Sequence, residues 1–163
     1  MAQTIENIKK DRLRYTKNKL SANLIYLGIL FNVLYFVNIY QSDVNNYYYT
    51  IEIGMSILYN LVFLLFAFLA SEGLKNYKKN YGYLMVGMGI MQFVRFMGIP
   101  AKAHAALVIV DGVEQLVMND NQYTYVTVML TISAIACMAA GIIGIVKTNT
   151  LEKYVKENGL TMS

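Results

Sequence analysis

Apolar residues gather into four long blocks along this chain, from about Leu20 to Tyr40, Ile51 to Ala70, Tyr81 to Ile99 and Tyr125 to Val146. Each block holds roughly the 20 residues that a helix rising ~1.5 Å per residue needs to cross a hydrocarbon core ~30 Å thick. None contains a proline, and the period-two alternation of barrel strands is absent. Without water, every backbone N–H and C=O must bond within its own segment, so blocks of this length are helices. The pattern predicts an all-α integral membrane protein, a four-transmembrane-helix bundle with spans over residues 20–40, 51–70, 81–99 and 125–146.

The stretches between the blocks differ in kind. The first outward connection, Gln-Ser-Asp-Val-Asn-Asn-Tyr-Tyr-Tyr-Thr, is short and polar, which makes the first two helices an antiparallel pair. The second, residues 101–122, contains Ala-Leu-Val-Ile-Val, then Asp111-Gly112, then Val-Glu-Gln-Leu-Val-Met. Asp-Gly between β-branched runs is a strong hairpin signal, so a small extracytoplasmic β-hairpin is expected here, with a helix from His104 to Met118 as the competing reading. A two-stranded hairpin is marginal in water by itself and should lie on the bundle or on something else. Residues 1–19 form a basic segment with Ile5, Ile8, Arg12 and Tyr15 at helical spacing, suited either to anionic headgroups or to a cytosolic partner. In the tail, residues 148–163, Leu151, Tyr154 and Val155 share one side, Glu152 and Lys156 are an i,i+4 pair, and Gly159 stands as a C-cap, which predicts a short surface helix.

Composition agrees with lipid as the solvent: 56% of residues are hydrophobic and 15% charged, too apolar for an ordinary soluble domain. The formal charge of +4 could suggest nucleic acid, but the placement of the cations argues otherwise. Lys9, Lys10, Arg12, Arg14, Lys17 and Lys19 precede the first block, Lys75, Lys78 and Lys79 join the second to the third, and Lys147, Lys153 and Lys156 follow the fourth. The two other connections hold only Lys102. The positive-inside rule then gives a plasma-membrane protein with both termini cytoplasmic, and the even number of spans agrees. Tyrosines cluster where the blocks end, Tyr40, Tyr47 to Tyr49, Tyr123 and Tyr125 at one side and Tyr15, Tyr77, Tyr81 and Tyr83 at the other, as an aromatic belt does. The basic stretch without a small-residue cleavage site reads as leading into a retained helix. Enrichment in Lys, Asn and Tyr suggests a bacterial source.

Polar residues inside the blocks are the candidates for chemistry, because each is expensive in lipid and needs a partner. Helical rise counted from the block ends puts Glu52 and Arg95 at similar depth on the outer side, so a salt bridge between them, or between one of them and a partner subunit, is expected, with a transport carboxylate as the alternative. Asn32, Asn60 and Gln92 lie near mid-bilayer, where amides usually join helices by hydrogen bonds worth ~1 kcal/mol or less. The fourth block repeats small residues at four-residue steps, Ser133, Cys137 and Gly141 on one row and Ala136, Ala140 and Gly144 on the next. Such rows let helices approach closely, within the bundle or against a partner. One histidine, His104, and one cysteine, Cys137, exclude a histidine cluster, bis-histidine haem and an internal disulfide. Asp43 and Asn45 offer too few oxygens for calcium, so neither metal nor cofactor is expected.

Catalysis needs convergent titratable groups, and beyond Glu52 and Arg95 the blocks offer almost none. Likeness to small four-helix multidrug exporters stops at helix number, since their key carboxylate lies in a first helix that here has no acid. The remaining expectation is a non-catalytic accessory or scaffolding subunit of a larger membrane complex, a transporter above all. The alternative is a small oligomeric transporter or channel using Glu52, Gln92 and Arg95. Partners on either reading are membrane lipids, and other membrane subunits or further copies of the chain, not nucleic acid.

Overall fold

The computed structural model describes residues 2–39, 47–110 and 112–159. In chain order these form α1 (Ala2–Tyr15), α2 (Lys19–Ile39), α3 (Tyr47–Lys75), α4 (Lys79–Phe96), α5 (Ile99–Ala105), β1 (Leu107–Val110), β2 (Val113–Leu116) and α6 (Asp120–Glu157). Residues 40–46, which include Asp43 and Asn45 of the connection between the first two spans, and Asp111 lie outside the described residues. Four helices are long and apolar enough to cross a membrane: α2, α3, α4 with its continuation into α5, and α6. Their outward faces carry large apolar side chains, such as Leu58, Leu61, Leu65 and Phe68 on α3, which suits lipid and no aqueous surface.

α2, α3, α4 and α6 close a ring in which α6 packs against α2 and α4, and α3 packs against the same two from the other side. α6 is the most enclosed, 44% of its apolar window being buried against 22% for α3 and for α4. Its small residues are the cause. Gly28 of α2 faces Cys137 and Ser133, and the Ser133 hydroxyl donates to the Gly28 carbonyl at 2.8 Å. Gly82 and Gly89 of α4 meet Gly141, Ala134 and Met138, and Gly144 meets Leu74 of α3. Ser133, Ala136, Cys137, Ala140, Gly141 and Gly144 are all buried. Of the two readings of these rows, packing within the bundle is the one their burial supports. α2 and α4 pack along α6 and Leu74 of α3 meets Gly144, so both rows are consumed in close approach, which is the main source of helix association in lipid.

The expected short tail helix is not separate, because residues 120–157, which include the fourth span, form one helix of 38 residues. At ~1.5 Å per residue it is about 57 Å long, well beyond a hydrocarbon core of ~30 Å. No Gly or Pro stands between Gly144 and Gly159 to stop it. The polar Thr148 and Thr150 bond within the helix, donating to the Gly144 and Val146 carbonyls at 2.8 and 2.9 Å. The Asn119 side chain caps its start, accepting from the Gln122 N–H at 2.8 Å, and Gly159 follows its end at φ +61°. The projecting turns bury Leu151 and Val155, and α1 packs against this helix.

At the opposite end the chain past Ile99 continues as α5, with Pro100 in its first turn where no N–H is required, and only then enters the hairpin. Leu107 stands opposite Leu116 and Val110 opposite Val113, so the connection is the two-residue Asp111-Gly112, with Gly112 at φ +79° as that turn demands. The competing helix from His104 to Met118 is not formed. β-branched residues on both sides of a two-residue turn pair more readily than they coil.

Candidate functional site

The polar residues of the spans meet at one place, between α2, α3 and α4. Asn32 and Tyr35 lie one turn apart on α2, Ser56 and Asn60 one turn apart on α3 beside Tyr59, and Gln92 and Arg95 one turn apart on α4. Asn32, Asn60 and Gln92 are buried. Asn32 is the hub: its Nδ2 donates to Asn60 Oδ1 at 3.0 Å, while its Oδ1 accepts from Gln92 Nε2 at 3.0 Å and from Arg95 Nη1 at 3.1 Å. Arg95 further donates to Gln92 Oε1 at 2.8 Å and, through Nη2, to Ser56 Oγ at 3.2 Å. Asn60 Nδ2 donates to the Ser56 carbonyl at 2.8 Å, closing the network.

Arg95 has no carboxylate partner among the described residues. Its guanidinium lies between two aromatic faces, 4.8 Å from the Tyr35 ring centre and 4.5 Å from that of Tyr59. Cation–π contacts away from water are worth roughly 0.5 to 2 kcal/mol each, so two of them with three hydrogen bonds offset much of the desolvation of one charge. The expected Glu52–Arg95 bridge is corrected: Glu52 bonds instead to Lys102 of α5, at the half-exposed rim of the bundle. Counting rise along a helix gives a depth but not the direction in which a side chain points. Side chains lean toward the N-terminus of their helix. For Arg95, near the end of α4, that direction is inward toward Ser56, and for Glu52, near the start of α3, it is outward.

Sequence reasoning named Asn32, Asn60, Gln92 and Arg95 but missed Ser56, Tyr35 and Tyr59. Their helical spacing carried the signal: Tyr35 lies three residues after Asn32, and Ser56 four before Asn60. The cluster holds donors and acceptors turned onto one another, with no nucleophile beside a base. Among the described residues no three of His, Cys, Asp and Glu come together as metal ligands would. Cys137 is buried against Gly28. His104 lies outside the spans, where its ring stacks on Tyr123 at 4.3 Å and its Nδ1 is 3.2 Å from the Met118 carbonyl oxygen.

That stack, with Met118 and Ala103 fully buried beside it, anchors the base of the hairpin. The blades beyond the base are exposed. Leu107, Ile109 and Leu116 project from one face, and all of β2 is exposed. In comparisons with known proteins the chain matches no family model, and no curated protein or solved structure shows significant similarity to it.

Proposed function

We propose that this chain is a non-catalytic scaffolding subunit of a larger membrane complex such as a transporter. The observation that carries this reading is the outer hairpin, anchored at its base, whose apolar residues Leu107, Ile109 and Leu116 its own bundle leaves exposed. A free two-stranded hairpin with exposed Leu107, Ile109 and Leu116 is marginal in water and has open edges that pair with other chains. A partner's extracytoplasmic surface would supply what the bundle does not. A transport path of its own would require Glu52, Gln92 and Arg95 to line one route. Glu52 is bonded to Lys102 at the rim, while Gln92 and Arg95 are bonded into the helix junction, so the geometry favours the subunit.

The test is purification of the tagged chain in mild detergent, with mass spectrometry of the chains that accompany it. The native protein is expected to bring other membrane chains in stoichiometric amount. Ile109→Lys, on an exposed blade, is expected to lose them while changing bundle stability by less than ~0.5 kcal/mol. Recovery of this chain alone argues against a subunit, and retention of the partners by the lysine variant removes the hairpin from the contact.

The same proposal puts both termini in the cytoplasm of a bacterial cell and the hairpin outside. Its support is the gathering of Arg14, Lys17, Lys75, Lys78, Lys79 and Lys147 at the terminal end of the bundle, against Lys102 at the other. Val113→Cys is expected to react with a membrane-impermeant maleimide in intact cells, with buried Cys137 as a silent background. Reaction only after permeabilisation would reverse the orientation.

A further inference from the structure

At the end of the bundle that carries both termini, a cavity of about 410 Å³ opens between the α1–α2 linker, the α3–α4 turn and α6. Arg14, Tyr15, Lys17, Lys75, Tyr77 and Lys78 line it, together with the buried Leu151. Asp11 bonds to Arg14 at 3.4 Å and Glu72 to Lys75 at 2.6 Å, leaving Lys17 and Lys78 outside any salt bridge among the described residues. The cations thus exceed the carboxylates beside them, and what would complete the cavity is an anion.

The walls are fixed by backbone bonds. The Asn18 N–H donates to the Lys75 carbonyl at 3.0 Å and so ties the α1–α2 linker to the end of α3. The Lys78 N–H bonds to the Gly73 carbonyl at 2.9 Å and the Tyr77 N–H to the Leu74 carbonyl at 3.2 Å, the paired bonds of a Schellman cap. These donors occupy the last carbonyls of α3, which would otherwise repel an anion. Tyr77 holds the left-handed position of that cap at φ +55°, where glycine is usual. A side chain kept there against its backbone preference places a phenol on the cavity wall.

Position identifies the source of the anion. Lys75 ends one candidate span, Lys79 begins the next and Lys19 begins the first, so the cavity lies at the depth where apolar helix gives way to water. α1 lies at the same end with Ile5, Ile8 and Tyr15 exposed, as a helix resting at a membrane surface presents them. Tyr15, Thr16 and Lys17 are shared with a second hollow bounded by Lys19, Leu20 and Lys147. From there the exposed Leu20 and Leu27 continue along the outer face of α2, a path for acyl chains.

We propose that this cavity is a binding site for the phosphate of an anionic phospholipid, whose chains lie along α2. Basic pockets between membrane helices at the headgroup level take such lipids. This site rests on the membrane reading of the chain and is independent of whether the protein is a subunit.

The experiment uses the full chain in a neutral detergent, with thermal stability and native mass spectrometry read against added phosphatidylglycerol, phosphatidylcholine or inorganic phosphate. Phosphatidylglycerol is expected to raise Tm and to remain bound, while phosphatidylcholine does neither. In K17Q/K78Q its apparent affinity is expected to fall about tenfold, each surface cation contributing a few-fold. K153Q/K156Q, at the same end but outside the cavity, is the control and is expected to match the native chain. Should K17Q/K78Q not fold, Lys17→Gln alone reads the same site with about a threefold loss. Equal binding of phosphatidylcholine overturns the proposal, as does equal weakening in the control pair, which would mean diffuse charge attraction. Saturation by inorganic phosphate as readily as by the lipid overturns the lipid as its source.

Discussion

Replacing Asn32 by leucine is expected to destabilise the folded bundle by about 3 kcal/mol, more than any single hydrogen bond in a membrane protein accounts for. Interhelical hydrogen bonds in lipid average ~0.6 kcal/mol, so the three made by the Asn32 side chain would sum to about 2 kcal/mol if that were all. The larger loss comes from Arg95, whose guanidinium would keep its charge and its enclosure but lose an acceptor at 3.1 Å. Removing one partner of a buried charge costs roughly 3 to 5 kcal/mol, whereas removing the charge as well is often close to neutral. The N32L/R95M double variant is therefore expected to be more stable than N32L alone. Unfolding in mixed micelles by a denaturing detergent measures both. If N32L lies within ~0.5 kcal/mol of the native chain, the network contributes no more than ordinary surface groups do and the account of α2, α3 and α4 being joined through it is wrong.

The second large effect is expected at Gly141, where alanine should cost about 2 to 3 kcal/mol by forcing α4 and α6 apart. A Cβ at this position would lie 2.6 Å from the Gly82 carbonyl oxygen and 3.0 Å from the Val86 nitrogen. Those are backbone atoms of a neighbouring helix and can yield only if the helix moves. Gly144→Ala should be milder, because its Cβ would meet the Leu74 side chain at 2.5 Å and a leucine can rotate. At Gly87 nothing lies within 4 Å of the added carbon, so Gly87→Ala should be neutral or stabilising by up to ~1 kcal/mol through helix propensity. The order Gly141, Gly144, Gly87 in the same micellar unfolding assay checks the assignment, and equal effects at all three would show that the two helices do not touch as described.

Gly141 marks the boundary between what pattern can say and what packing decides. The four-residue spacing of Ser133, Cys137 and Gly141, and of Ala136, Ala140 and Gly144, announces a close approach, because only small residues let backbones come near. It does not say whose backbone approaches. Both rows face the bundle, since α2 and α4 pack along α6 and Leu74 of α3 meets Gly144. The hairpin was legible for a different reason: Asp111-Gly112 between β-branched runs specifies a turn by local backbone preference, needing no information from elsewhere in the chain. The continuity of α6 with the tail helix was not legible, because polar Lys147, Thr148 and Asn149 close the apolar span although nothing in them ends a helix.

Arg95 shows the same division at the candidate site. Its cost in lipid made it conspicuous in the sequence together with Asn32, Asn60 and Gln92, and their depths followed from counting rise. Its partner did not follow, because depth is one coordinate and a contact needs three. The sequence by itself determined the four apolar spans, the hairpin and the identity of the polar residues that lipid makes expensive, since these depend on solvent and on local backbone chemistry. Only the tertiary structure decided that Arg95 turns inward to Asn32, Gln92 and Ser56 while Glu52 turns outward to Lys102. The lean of a side chain along its helix, and which helix stands opposite, are properties of the packed bundle that no single segment contains.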